Sequence, residues 1–127
     1  MAFQGTSHVE PCVSSFPAGA DLSAESNLWK IVKFDGSGAV VLAGDGERGF
    51  GVLSSLNTQG KSVDVIVDGG AKVKLSGTAS EGNSVGIGAA GVAETPGAAE
   101  WCLGIFMEDG VDGDIVSILI DRHNSPA

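Results

Sequence analysis

Two stretches of this chain spell the same short strand, glycine-bearing turn and longer strand, and this repetition narrows the possible folds most. The later stretch runs from Gly104 to Asp121, GIFMEDGVDGDIVSILID, and the earlier from Gly51 to Asp68, GVLSSLNTQGKSVDVIVD. Gly51 pairs with Gly104 and Gly60 with Gly113 at an offset of 53 (104 − 51). The same offset pairs Val63 with Val116, Val65 with Ile118, Val67 with Ile120 and Asp68 with Asp121. In the later copy Val116, Ile118 and Ile120 alternate with Ser117, Leu119 and Asp121, the two-residue period of a sheet. A doubled β unit is expected.

The 127 residues are enough for one domain with a single core. Twenty glycines, no tyrosine and many short apolar runs separated by Gly, Asp, Ser and Asn point to an all-β domain with tight turns. No run approaches the ~20 apolar residues of a membrane-spanning helix. The opening MAFQGTSHVEPC has neither a basic region nor an apolar core, so no secretory signal is expected. A formal charge of −9, with the seven basic residues scattered, argues against a nucleic-acid partner, which requires clustered Lys and Arg. Cys12 and Cys102 are expected to be reduced, Cys102 as a small buried hydrophobe.

Residues 1–20 contain Pro11, Pro17 and the isolated apolar residues Phe3, Val9, Val13 and Phe16, with no strand or helix period. They read as an extended N-terminal arm (1–19) ahead of a single all-β domain (20–127). Apolar residues spaced along such an arm suit docking onto a partner. Within the domain the repeat spans about 20–68 and 76–121. LWKIVKF, AVVLA and GVLSSL read as strands, and VDVIVDGGAKVKL as a hairpin with Asp68-Gly69-Gly70 at its tip. Asn27 and Asn83 stand 56 apart, which makes a later loop three residues shorter (56 − 53) in the second copy. Trp29 and Trp101 are read as lying in corresponding parts of the two halves, packing in a core or interface. Two such halves would bury their apolar faces against each other as a small β-barrel or sandwich.

Candidate chemistry gives way to turn formation in each case. Gly82-Asn83-Ser84-Val85-Gly86 fits the G-x-S-x-G elbow, and Asp112 or Asp114 and then His123 follow in hydrolase order. That elbow needs a strand before the serine and a helix after it, and the surrounding TASE and IGAAG supply neither, so Ser84 reads as a turn residue. Gly44 to Gly49 and Gly86 to Gly91 both fit G-x-G-x-x-G, yet neither opens a helix able to hold a pyrophosphate. Glu108, Asp109, Asp112 and Asp114 invite calcium, but Val111 and Gly113 occupy the third and fifth positions of an EF-hand register begun at Asp109. His8 and His123 have no second ligand at a metal-site spacing. No catalytic, cofactor or metal residues are expected.

The series of polar turn, entry strand, Gly-[Val/Ile] strand (Gly51-Val52, Gly104-Ile105), glycine-bearing turn and alternating Val/Ile strand resembles the small head decoration, or cement, proteins of tailed bacteriophages. The likeness covers roughly Ala20 to Ile120 and rests on strand-and-turn patterns. It implies a non-enzymatic virion protein, made in the host cytoplasm and placed on the outer surface of the expanded capsid. It further implies a homotrimer that clamps adjacent major capsid protein subunits, with no cofactor, nucleic acid or membrane partner. Phe3, Val9, Val13 and Phe16 are the expected capsid-contacting residues. The alternative is a small β-barrel ligand- or carbohydrate-binding module of a virion spike, which would expose Trp29 and Trp101.

Overall fold

The computed structural model describes residues 10–125. Ten strands run through them: β1 (Cys12–Pro17), β2 (Ile31–Phe34), β3 (Val40–Leu42), β4 (Gly51–Leu53), β5 (Ser62–Asp68), β6 (Gly70–Lys74), β7 (Ser84–Ile87), β8 (Ala93–Glu94), β9 (Trp101–Phe106) and β10 (Ile115–Asn124). The first five form one sheet in the order β1-β5-β4-β2-β3, and the last five a second in the order β6-β10-β9-β7-β8. The two orders coincide when five is added to each strand number. The chain is all-β and built from two similar halves, as the repeat predicts.

Each sheet curls until its outer strands meet. Ala18, just past β1, forms a parallel bridge to Val40 on β3, and Leu75, just past β6, forms the matching bridge to Ala93 on β8. The hydrogen bonds around the two closures repeat as well. Ala18 N–H donates to Lys61 O at 2.9 Å and Leu75 N–H to Asp114 O at 2.8 Å; Gly60 N–H donates to Ala18 O at 2.8 Å and Gly113 N–H to Leu75 O at 2.9 Å. Closing a short sheet in this way covers edges that would otherwise pair with other chains. Each half is therefore a small barrel.

Alternation along the strands fills the two interiors. In the first module Val32, Val40, Leu53, Val63 and Val65 point inward, together with Ala18 and Leu22. Their counterparts in the second are Val85, Ala93, Phe106, Val116, Ile118, Leu75 and Ala79. Sizes are traded between layers: Leu53 and Ala18 become the larger Phe106 and Leu75, while Leu22 and Val40 become alanines. Such exchanges hold total volume near native packing density.

The modules meet through a different set of residues. Ile31, Val52 and Ile66, directly opposite one another on β2, β4 and β5, lie on the outward face of the first sheet. They belong to the same buried cluster as the second module's interior, with Trp29 and Trp101 packed against it. Polar bonds fasten this junction. Trp101 Nε1–H donates to Gly49 O at 2.9 Å, Gly46 N–H to Ile87 O at 2.9 Å, and Lys74 N–H to Trp29 O at 3.0 Å. The Arg48 guanidinium sits 4.7 Å from the Trp101 ring centroid, in cation–π range. Arg122 donates from Nη1 to Phe50 O and Val67 O, each at 2.8 Å.

Several local expectations change. Cys12–Pro17, which lacks a strand period in the sequence, pairs along its length with β5 and matches β6 in the second module. Asp68-Gly69-Gly70 is not a hairpin tip, because β5 and β6 belong to different sheets; Gly69, at φ +81°, hands the chain from one module to the other. The connection after the first strand of each module is four residues shorter in the second copy, not three. The offset falls from 57 (79 − 22) at Leu22 and Ala79 to 53 (82 − 29) at Trp29 and Gly82, as their hydrogen bonds to Asn57, Gly110, Leu53 and Phe106 show. The counterpart of Trp29 is thus Gly82, which shares its positive φ, and Trp101 falls opposite Arg48. Ser84 is no turn residue: it opens β7 and pairs with Ile105, as Ile31 pairs with Val52.

Candidate functional site

The four residues expected to touch a partner are separated by the fold. Phe3 and Val9 lie outside the described residues. Val13 sits on β1 opposite Ile66 with 48% of its surface exposed, next to the stripe that forms the module junction. Phe16 points to the other side of β1, where it is half-buried.

Phe16 there joins Phe34, which the sequence offers only as the end of a strand, and Phe50, just before β4. Phe34 and Phe50 stack with ring centroids 4.1 Å apart and planes 4° from parallel. Phe16 meets both edge-on at 5.4 and 5.5 Å. Offset or edge-to-face geometry is favoured by the ring quadrupole. Phe34 remains 50% exposed, so the cluster forms an aromatic rim on the first module that is open to a partner. Three of the five phenylalanines gather here. The internal repeat is the signal that finds them: aligning β1 with β6 at an offset of 57 (73 − 16) places Phe16 over Val73, and the offset of 53 (87 − 34) that holds beyond it places Phe34 and Phe50 over Ile87 and Leu103.

The enzyme-like residues are partly brought together. Ser84 Oγ and His123 Nε2 are 2.9 Å apart, and His123 Nδ1 lies 2.6 Å from Asp121 O. A carbonyl can only accept, so in the neutral ring Nδ1 carries the proton and Nε2 accepts from the serine. The third member of the sequence match is missing from this pair. Asp112 accepts from Gly77 N–H and Asp114 from Val111 N–H, each at 2.9 Å. Ser84 also stands on a strand, without the strand-to-helix turn that exposes a nucleophile. Beside it, burial pushes the Cys102 thiol upward, toward the unreactive protonated form.

The acidic cluster is built as turn chemistry. Glu108 accepts from Ser117 N–H at 2.7 Å and Asp109 from Glu81 N–H at 2.8 Å, so these carboxylates cap backbone amides. Among the described residues no group of three His, Cys, Asp or Glu could hold a metal ion. In the Gly44–Gly49 turn, Glu47 accepts from Lys33 Nζ at 2.8 Å and from Gly44 N–H, and both bonds lower its pKa.

Glu94 is the exception. Burial first, and the charge of Asp45 second, raise its pKa above the usual carboxylate range. A raised carboxylate supports folding fully below its unfolded pKa, and that support is lost as pH rises through the folded value. Glu94→Gln should therefore raise the melting temperature at pH 7, with a gain below about 1 kcal/mol for a group only partly buried. In thermal melts the difference from wild type should vanish near pH ~4.

The fold defines a class: a tandem pair of self-closing five-stranded β modules. No family model matches the chain, and no curated protein matches it. Among solved structures it is similar to the N base of the head fiber gp8.5 of bacteriophage phi29. That match has a TM-score of 0.66 and 16% identity, and covers 91% of this chain and 100% of that one.

Proposed function

We propose that this chain is a non-enzymatic structural protein of a phage virion, bound to the outer surface of the expanded capsid. In this reading it acts as a homotrimer and stabilises the shell by clamping adjacent major capsid protein subunits. The observation that carries the reading is the shared fold with a head fiber base along that chain's whole length. Two closed barrels fastened by a buried junction make a stiff body, which a clamp requires. The net charge of −9 suits an outward surface and does not suit a phosphate backbone. Phe3, Val9 and Val13 are the proposed capsid contacts, Val13 on β1 itself, while Phe16 belongs to the aromatic rim. The tryptophans pack at the module junction, which leaves the carbohydrate-binding alternative without an observation in its favour.

Co-sedimentation with expanded heads lacking this protein tests the reading. Saturable binding at a fixed ratio to the capsid protein is expected, and absence of binding would refute it. Because Cys12–Pro17 is a strand of the first module, the informative truncation removes residues 1–9 only. That variant should fold normally and bind heads at least about tenfold more weakly, the equivalent of roughly 1.4 kcal/mol.

A further inference from the structure

The contact between the modules is heterologous, and each of its two halves has an unused duplicate. The outward stripe of the first module, Ile31, Val52 and Ile66, is 0%, 0% and 7% exposed, buried in the cluster that also holds Val73, Ile87 and Leu103 of the second. These last three are the positional counterparts of the aromatic rim, Phe16, Phe34 and Phe50. The first module thus lays its stripe on the second module's rim. What remains open is the first module's rim and the second module's stripe.

That second stripe is Ser84, Ile105 and Leu119, opposite one another on β7, β9 and β10 in the register of Ile31, Val52 and Ile66. Leu119 is 39% exposed, and Ser84 and Ile105 are half-buried. We infer that the second module's stripe docks on the aromatic rim of another copy of this chain, repeating between chains the contact already made within one. Size complementarity favours the pairing, since the free rim carries larger side chains than Val73, Ile87 and Leu103, and the free stripe begins with the small Ser84. Of the two backbone junction bonds, the one from Lys74 N–H has no equivalent, because its counterpart Pro17 lacks an N–H, and the other has its donor preserved. Gly46 N–H donates to Ile87 O within the chain, and its counterpart Ala99 holds a similar left-handed backbone, φ 61° against 72°. The corresponding bond runs from Ala99 N–H to Phe34 O of the neighbouring copy.

A heterologous contact adds copies head to tail until the rotation closes a ring. Closure after three copies gives the proposed homotrimer, although the inference rests on the duplicated junction and not on capsid binding. It also explains why the first module's rim is aromatic: the intrachain contact benefits from a covalent link, and the contact between chains must do without it.

Native mass spectrometry and sedimentation velocity of the full chain test this with Phe34→Asp and Leu119→Asp, two exposed positions. Wild type should be oligomeric and each variant monomeric. Mixed in equal amounts, the two variants should form a complex of one copy each, because the stripe of the first and the rim of the second are intact. A monomeric wild type would overturn the inference. So would a Leu119→Asp protein that keeps the wild-type assembly, which would mean that the rim pairs with itself, or variants that stay monomeric when mixed. Circular dichroism checks that each variant is folded, and Phe34→Ser and Leu119→Ser replace any that is not. Head binding is measured separately, so its failure would not be confused with failure of this contact.

Discussion

Phe106→Ala should cost the protein about 4 kcal/mol, within the range found for large aromatic truncations in cores. Phe106 is among the largest fully buried side chains, 1% exposed, and it fills the interior of the second barrel where Leu53 fills the first. Its neighbours are β-sheet residues held by cross-strand bonds on both sides, so the barrel cannot collapse into the vacated space. The removed ring loses its transfer free energy, and the remaining cavity adds to the loss. Against a typical total of 5–15 kcal/mol, the variant would be marginal. Urea unfolding followed by tryptophan fluorescence measures it, with Leu53→Ala as the smaller comparison in the other module. A loss below about 1 kcal/mol would mean that the second barrel is not packed as described.

The second large effect comes from adding a single methyl group. A Cβ at Gly104 would collide with Leu119 O and lie 3.0 Å from Asp121 N, both backbone atoms of the paired strand β10. Gly51 repeats this geometry in the first module, where a Cβ would stand 2.6 Å from Ile66 O. Side-chain ends can swing aside, but a paired backbone moves only by breaking its ladder. Gly104→Ala should therefore destabilise by about 3 kcal/mol or more, at the upper end of overpacking costs, and Gly51→Ala somewhat less. Thermal melts of the two variants check the order. Gly60→Ala is a milder control, because a Cβ there meets nothing and only its φ of +85° is strained.

The same glycines made the fold legible. Close backbone approach recurs at Gly51 and Gly104, positive φ recurs at Gly60 and Gly113, and the Val/Ile alternation of β5 recurs in β10. These demands leave residues that sequence comparison within the chain can pair. The first strand of each module was harder to see. CVSSFP carries serines on both faces because much of β1 is open to solvent, and Phe16 is its one apolar side chain packed on the interior cluster, beside the half-buried Ser14. Gly70–Lys74 looked like the return of a hairpin because pairing partners are set by closure of the sheets, which no local residue reveals. The four-residue shortening between Leu22 and Trp29 hid the correspondence further.

The candidate surface was legible only in part. Phe16 was chosen for its isolation, whereas its significance is its company: Phe34 and Phe50 come from strand ends far away in sequence. Ser84 read as a turn residue, so its contact with His123 was not foreseen, and the aspartates of the hydrolase order serve turns at the other end of β10. The contrast between a buried rim on one module and an open one on the other exists only in three dimensions.

The most direct test of the clamp is the temperature at which expanded heads rupture, measured with the protein bound at saturation and without it. Decorated heads should survive to a temperature several degrees higher, and heads decorated with the variant lacking residues 1–9 should fall back toward bare ones. Equal rupture temperatures at full occupancy would show that the protein decorates the shell without holding it, and would contradict the account.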